Sequence, residues 1–232
     1  MKRILALIVI LSMAGFMFTG CGGNNAKRAA AEKAAAEAAQ KQQLDSLAQA
    51  EKAAKVSEQL ASLPEEPVFD IITTMGTIRV KLYADTPKHK ANFAKLALEG
   101  FYDGILFHRV INGFMIQTGD PLSKDMANKD RFGTGGPGYN VSAEFVPAHT
   151  HIKGALAAAR RGDAANPLKE SSGSQFYIVQ DARTCAQLDG QYTVFGETLE
   201  GLDVIDKIAS VDTDYRDCPI SPVKIVKISL VK

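Results

Sequence analysis

The chain has few of the residues from which reactive or metal-bound centres are built. It contains three cysteines, four histidines and no tryptophan in 232 residues. His149 and His151 lie two positions apart, but no cysteine or carboxylate stands at ligand spacing to complete a tetrahedral site. The serines of residues 171–174 form no nucleophile elbow, and no base or carboxylate pair is evident. We therefore expect no metal, no cofactor and no covalent catalysis, which leaves chemistry made of non-covalent contacts.

An excess of charge of one sign is also lacking. The formal net charge is +1, and no basic cluster with interleaved aromatic residues occurs, so we expect no nucleic-acid partner. Residues 133–138 satisfy the pattern G-x-G-x-x-G, but Pro137 and the polar residues around it do not fit a strand before the pattern and a helix after it. We interpret this pattern as a backbone turn and not as a nucleotide site.

The N-terminus has the pattern of an export signal. Lys2 and Arg3 precede a 15-residue apolar stretch, residues 4–18, which is shorter than the approximately 20 residues of a membrane span. An A-x-A-like cleavage site is missing, and residues 1–21 instead resemble a bacterial lipoprotein signal, which implies cleavage after residue 20 and lipidation of Cys21. Lipid chains on Cys21 would tether the protein without making it span the membrane. The alternative is an uncleaved anchor helix.

Two further cysteines, Cys185 and Cys218, leave two interpretations open. In an exported protein an even pair predicts a disulfide, whereas in a reducing compartment the same pair would be two buried thiols.

Residues 26–62 differ sharply in composition from the rest of the chain. Alanine accounts for 14 of these 37 residues, and glycine and proline are absent. This composition favours a helix, but large apolar residues are too few and too irregular for a coiled coil or a core helix. We predict that residues 21–67 form a solvated stalk, helical or disordered, that ends at Pro64 and Pro67.

Residues 68–232 have the pattern of one mainly β domain. Residues 68–74 and 77–83 alternate as a hairpin with a turn at Met75 and Gly76, and several further short apolar runs are bounded by turn residues. Thr86 and Pro87 can begin a first helix that ends at Gly100, and residues 201–209 predict a second. Many short strands with only two helices predict a closed β architecture in which the helices cap a barrel.

The domain is organised around residues 106–121, which read LFHRVINGFMIQTGDP. This stretch supplies a cation at Arg109, apolar surface at Phe114 and Met115, and an amide at Gln117. In extended structure, side chains two apart share a face, so several of these groups could line one surface. A single cation beside an apolar hollow suits a neutral, apolar substrate that needs one strong hydrogen bond. The alternative is an amphipathic strand pair with a surface arginine.

Four motifs of this region resemble the cyclophilin family of peptidyl-prolyl isomerases. They are FHRVIxGFMIQxGD at 107–120, GTGG at 133–136, SGSQF at 172–176 and LDGxxxVFG at 188–196. The resemblance runs from about residue 68 to residue 232. It implies an eight-stranded antiparallel closed barrel capped by two helices, which agrees with the strand and helix pattern above.

The resemblance also implies roles for individual residues. Arg109 would donate a hydrogen bond to the prolyl nitrogen in the twisted state, Gln117 would hold the substrate carbonyl, and Phe114 would help to enclose the proline ring. The substrate-binding positions that it implies are Met115, Arg160, Gln175, Tyr177, Leu188 and Tyr192. Two of these depart from the family pattern, because Tyr177 replaces a pocket phenylalanine and Tyr192 stands where eukaryotic members carry histidine. Residues 161–174 are about six residues longer than the usual loop, and could select charged substrates or be inert.

Together these features predict a peptidyl-prolyl cis-trans isomerase that acts on proline-containing polypeptides during the folding of exported proteins. We expect a monomeric domain in the cell envelope, held by the lipid anchor at Cys21 to a membrane on its extracytoplasmic side. Two alternatives stay open, namely a proline-recognising chaperone module with little catalysis and a surface interaction lipoprotein.

Overall fold

The computed structural model describes residues 24–231. Residues 1–23, which include the export signal and the lipidation position Cys21, lie outside the described residues. The strands are β1 (Val68–Thr73), β2 (Gly76–Leu82), β3 (Arg109–Ile111), β4 (Met115–Thr118), β5 (Asn140–Val141), β6 (Ala155–Ala158), β7 (Ser171–Ser172), β8 (Phe176–Val179), β9 (Val194–Glu200) and β10 (Ile225–Leu230). Eight of them form one antiparallel sheet in the order β10-β1-β2-β9-β6-β8-β4-β3, and β5 pairs with β7 in a second, small sheet.

The predicted hairpin is present as β1 and β2. Alternate residues of both strands are buried, and Phe69 pairs with Val80 across the ladder, so one face of the hairpin enters the main core. The turn itself lies one residue earlier than expected, at Thr74 and Met75, because Gly76 already pairs with Thr73. Gly76 has a φ of 139°, and a Cβ there would stand 2.7 Å from Val204 Cγ2, so the position needs glycine.

The prediction of a closed barrel is wrong, because the sheet is an open, curled half-barrel. Its edge strands β3 and β10 do not pair with each other. Only an isolated bridge joins Leu106, just before β3, to Lys224. The Leu106 N–H donates to Ser123 Oγ at 3.0 Å, and its carbonyl oxygen accepts from Thr118 Oγ1 at 2.9 Å. These groups of Leu106 face away from Lys224, because the bridge is flanked by Ile225 N donating to Ile105 O at 2.8 Å and Phe107 N donating to Val223 O at 2.9 Å. At β3 itself a different segment takes over, since Val110 N donates to Asp217 O at 2.8 Å, and no ladder forms between β3 and β10.

The helices are α1 (Asn24–Ala61), α2 (Pro87–Leu98), the short α3 (Ala182–Cys185) and α4 (Leu202–Ala209). Helix α2 begins after Thr86, as predicted, but the Thr86 side chain makes no capping hydrogen bond. The carboxylate of Glu144 caps this helix instead, accepting from the backbone N–H groups of Lys88 at 3.0 Å and His89 at 2.9 Å. A carboxylate at this end also complements the helix dipole.

The two ends of α1 belong to different compact units, which divide after Gln49. In the first unit, residues 30–49 of the helix are exposed. In the second unit, Val56 is only 6% exposed, and Leu60 and Leu63 pack against the main core. The expectation of a solvated stalk therefore does not hold for this end of the helix. Within residues 24–231, no helix has both the length and the apolar character needed to cross a membrane.

A disulfide between Cys185 and Cys218 does not form in this structure, because both residues are free, buried thiols. Each points at a nearby carbonyl oxygen: Cys185 Sγ lies 3.4 Å from Phe114 O, and Cys218 Sγ lies 3.9 Å from Pro219 O. Burial raises the pKa of the Cys185 thiol to about 11, so this thiol is protonated near neutral pH.

Candidate active site

Three neighbouring strands bring the central residues into one row. Arg109 on β3 stands opposite Gln117 on β4, and Gln117 stands opposite Tyr177 on β8. Directly opposed residues of antiparallel strands project their side chains from the same face of the sheet. Met115 lies on this face too, because it is two residues from Gln117 on the same strand. The spacing from Arg109 to Gln117 thus becomes a side-by-side arrangement once the chain folds back at Asn112 and Gly113.

This face of the sheet carries a second apolar cluster, separate from the main core. It includes Met115, which is 2% exposed, and Tyr177, which is 5% exposed, with Phe114 and Leu188 packed beside them. Above the cluster is a small cavity of about 130 Å³, which we call the cup. The residues that line the cup are Arg109, Phe114, Met115, Gln117, Ala159, Arg160, Tyr177, Leu188 and Tyr192.

Arg109 borders the cup from an edge strand and stays accessible there. Its side chain is 42% exposed, and its nearest carboxylate is that of Asp217, with Nε and Oδ2 3.5 Å apart. An exposed ion pair at this distance is weak. Among residues 24–231 this is the one ion pair that Arg109 makes, so its other guanidinium N–H groups can meet a polar atom of a ligand in the cup.

Gln117 is held in place by Gln175, a residue outside the cup. Its Nε2 donates to Gln175 Oε1 at 3.1 Å, and Gln175 Nε2 donates in turn to the carbonyl oxygens of Gly133 at 3.0 Å and Gly135 at 2.8 Å. These amide orientations follow from the hydrogen-bond network. Gln175 therefore does not line the cup, but fixes the residue that does.

Arg160 contributes its side chain as well as its backbone. The guanidinium Cζ lies 4.4 Å from the centre of the Tyr192 ring, at cation–π distance. Its Nε donates to Gln191 O at 2.9 Å, and its Nη1 donates to Asp163 Oδ1 at 2.5 Å. The sequence identified Arg160 only as a substrate-binding position and gave no sign of this contact, which holds the Tyr192 ring at the rim of the cup.

The hydroxyl of Tyr177 also has a partner that was not identified from the sequence. Tyr177 Oη lies 2.8 Å from His151 Nε2, and His151 Nδ1 lies 2.6 Å from Asp189 Oδ1. His151 was set aside as a loop histidine unable to complete a metal site. The signal that could have found it is Tyr177 itself, because a buried hydroxyl at a phenylalanine position needs a hydrogen-bond partner.

A larger groove lies beside the cup. It has a volume of about 840 Å³, and the residues that line it include the glycine-rich turn at 133–136, Arg131, Arg161 and residues 165–168. The buried carboxylate of Asp120 holds this turn, accepting from Gly133 N at 2.6 Å, Gly135 N at 3.2 Å and Leu122 N at 2.8 Å. A Cβ on Gly135 would collide with Asp120 Oδ1, so the turn needs glycine there. Within residues 24–231, no group of three or more metal-ligating side chains is found.

The sequence model of the family described as cyclophilin type peptidyl-prolyl cis-trans isomerase matches residues 68–230, which cover the whole sheet and every residue of the cup. The chain belongs to the cyclophilin family. This family consists of peptidyl-prolyl cis-trans isomerases, and the open sheet with its helices is the cyclophilin-like fold.

Relatives of the cyclophilin domain include both short and long proteins. Peptidyl-prolyl cis-trans isomerase-like 1 of Neurospora crassa is 40% identical over 161 residues, which are 69% of this chain and 91% of that protein. Peptidyl-prolyl cis-trans isomerase CYP71 of Arabidopsis thaliana is 40% identical over 176 residues, which are 74% of this chain but 25% of that protein. The chain therefore spans about a quarter of the length of several relatives that it matches.

Solved structures agree with this assignment. A cyclophilin type peptidyl-prolyl cis-trans isomerase of Cryptosporidium parvum is 28% identical, with a TM-score of 0.64 over 72% of this chain and 98% of that one. A second crystal structure of the same protein, determined in the presence of the dipeptide Ala-Pro, has a TM-score of 0.63 and covers 71% of this chain and 99% of that one.

Proposed function

We propose that the cyclophilin domain of this chain catalyses cis–trans isomerisation of X-Pro peptide bonds. The observation that carries the proposal is the row formed by Arg109, Gln117 and Tyr177, which sets one accessible cation at the edge of an apolar cup. The cup is about the right size for a single small ring, and it offers a proline side chain an apolar floor.

The task of such an enzyme is to lower a barrier of about 18–20 kcal/mol that arises from amide resonance. When the peptide bond twists, the prolyl nitrogen loses its resonance and becomes a hydrogen-bond acceptor. A guanidinium N–H of Arg109 can donate to this nitrogen only in the twisted state. An interaction that exists in the transition state and not in the planar ground state accelerates the reaction.

The other residues of the cup hold the substrate in place and take no part in the bond rotation itself. Phe114, Met115 and Leu188 enclose the proline ring, so the ring stays fixed while the residue before it turns. The Gln117 amide has two N–H donors. One donates to Gln175, and the other can hold the substrate carbonyl. No proton is transferred and no covalent bond is broken in this scheme.

A protease-coupled assay on an Ala-Pro peptide tests the proposal. We expect Arg109→Ala to lower kcat/KM by about 100-fold or more, as is typical when a transition-state donor is removed. The matched control is Arg183→Ala, because the Arg183 side chain is 92% exposed and does not line the cup. Equal rates for the wild type and Arg109→Ala would contradict the proposal.

We further propose that the enzyme is exported, anchored to a membrane through lipid on Cys21, and active on polypeptides that fold outside the cytoplasm. The support is the charged start, the 15-residue apolar stretch and the following cysteine in residues 1–21. In a bacterial host, labelling with a clickable palmitate analogue should mark the wild-type chain and not Cys21→Ser. Equal labelling of both chains would overturn the lipid assignment, and recovery of both in the cytoplasmic fraction would overturn export.

A further inference from the structure

The floor of the cup contains a polar group that a proline pocket does not need. Tyr177 is 5% exposed and presents its ring to the cup, yet it ends in a hydroxyl. Burial raises the pKa of this hydroxyl well above its ordinary value, so it is uncharged and retains its proton. A buried hydroxyl without a partner is costly, and one turned toward the cup would add a polar group beside an apolar ligand.

Among residues 24–231 the Tyr177 hydroxyl has one hydrogen-bond partner, His151, and His151 is itself fixed. The His151 side chain is fully buried, and Asp189 Oδ1 accepts both from its Nδ1 at 2.6 Å and from its backbone N–H at 2.8 Å. A carboxylate can only accept, so Nδ1 carries the hydrogen. In the neutral imidazole Nε2 is then an acceptor, and the Tyr177 hydroxyl donates to it at 2.8 Å.

Two further aromatic contacts fix the Tyr177 ring. The planes of the His151 and Tyr177 rings differ by 10°, with their centres 5.9 Å apart, so the two rings are nearly parallel. The Tyr192 ring meets Tyr177 edge-on, at 79° and 6.1 Å. Tyr177 is thus held at its tip by His151 and at its side by Tyr192.

Asp189 connects a wall of the cup with its floor through its hydrogen bond to His151. It directly follows Leu188, which lines the cup, and through His151 it reaches Tyr177, which forms the floor. The sequence separation between His151 and Asp189 is 38 residues, so no local turn supplies this link.

We propose that His151 and Asp189 are positioning residues for proline binding: they hold the Tyr177 hydroxyl out of the cup, so that the proline ring meets only the tyrosine ring. This inference deepens the proposed function and depends on proline being the group that the cup receives. It explains how the chain carries tyrosine at this position while keeping the cup apolar.

A double-mutant cycle on the full chain tests the inference, with affinity for an Ala-Ala-Pro-Phe peptide measured by NMR titration and with KM and kcat measured separately. His151→Leu should raise the dissociation constant and KM about tenfold and change kcat less than twofold. In the Tyr177→Phe background His151→Leu should change the dissociation constant and KM less than twofold, because no hydroxyl is left to hold. The matched control is His149→Leu, at a loop position outside the cup, which should change the dissociation constant and KM less than twofold.

A purely structural role for His151 would give equal losses in both backgrounds, and this result would overturn the inference. So would an unchanged affinity in His151→Leu, or a wild type that does not bind the peptide. A wild type that binds the peptide without accelerating its isomerisation would refute the proposed function and leave the inference standing.

A measurement on the wild type keeps the inference testable if His151→Leu does not fold. In a ¹⁵N spectrum of the imidazole, His151 should carry its proton on Nδ1 and show Nε2 at the shift of a hydrogen-bonded acceptor nitrogen. The opposite tautomer, or an Nε2 shift that is the same in the wild type and in Tyr177→Phe, would contradict the proposed direction of donation.

Discussion

The cup and the groove beside it are built from different kinds of backbone. The floor of the cup rests on adjacent strands, where the register sets Arg109, Gln117 and Tyr177 in one row. The groove is lined by a glycine-rich turn and by residues 165–168 of a long loop. Strands hold side chains through a ladder of backbone hydrogen bonds, whereas this turn depends on one buried carboxylate, Asp120.

This difference suggests a division of work between the two regions. Chemistry that depends on placing a single guanidinium is best built on paired strands, and selection among substrates is best built on loops, which tolerate sequence change. Gln175 connects the two regions, because it binds the Gln117 amide and the carbonyl oxygens of the turn. Substitutions confined to one region show whether the two regions can be changed separately.

The largest effect is expected at Asp120. Asp120→Ala leaves three backbone N–H groups without their acceptor, and we expect a loss of about 3 kcal/mol in the free energy of unfolding, measured with urea. The matched control is Asp125→Ala, because Asp125 is exposed and its side chain accepts from one backbone N–H. Similar losses in the two variants would mean that the turn does not depend on Asp120.

Acid should act on the strand-built region through His108, which precedes Arg109. Burial lowers the pKa of His108 to about 4, and neither ring nitrogen has a hydrogen-bond partner among residues 24–231. Below its ordinary pKa of about 6.5, the unfolded chain binds a proton that the folded chain does not, so stability falls as the pH drops from about 6.5 to about 4.

For His108 alone, the free energy of unfolding at pH 5 is about 2 kcal/mol lower than at pH 7.5. Urea denaturation of the wild type and of His108→Gln at both pH values measures it. Because other histidines also titrate, the difference between the two proteins is the quantity to compare. A variant that loses as much stability on acidification as the wild type would contradict the assignment to His108.

A smaller effect is expected for the wall of the cup. Phe114→Ala removes apolar surface that would contact the proline ring, and we expect kcat/KM on an Ala-Pro peptide to fall about tenfold, mainly through KM. Leu199→Ala is the matched control, since Leu199 is a 48% exposed apolar residue on β9 that lines neither the cup nor the groove. If both variants behaved like the wild type, the cup would not be the site that receives proline.

The smallest effect is expected in the groove. Arg161→Glu reverses an exposed charge that lines it, and surface charges of this kind contribute at most about 1 kcal/mol. We expect the preference for an acidic over a basic residue upstream of Ala-Pro to fall about threefold, with an uncharged peptide as the reference. Arg183→Glu serves as the control. An unchanged preference would favour the interpretation of residues 161–174 as an inert insertion.

The parts of this structure that follow from short-range patterns could be predicted from the sequence. Alternation in residues 68–83 indicated the β1–β2 hairpin, and the spacing within residues 106–121 indicated that Arg109 and Gln117 share a face. Both depend on the two-residue period of a strand, which is visible in the sequence.

The features that were missed depend on contacts between residues far apart in the chain. Glu144 caps α2 from 55 positions away, which no local capping pattern indicates. The edge strand β3 meets a distant loop and not β10, since Val110 N donates to Asp217 O at 2.8 Å, and the sheet stays open there. The Tyr177 partner His151 lies 26 positions away in a loop. Such contacts are set by tertiary packing and not by local preference.

In the proposed mechanism Arg109 lowers the barrier to rotation and does not simply improve binding. NMR exchange spectroscopy with an Ala-Pro peptide measures the interconversion rate of the bound peptide separately from its dissociation constant. For Arg109→Ala we expect the interconversion rate of the bound peptide to fall by about 100-fold while the dissociation constant changes less than threefold. A larger dissociation constant with an unchanged interconversion rate of the bound peptide would contradict a catalytic role for Arg109.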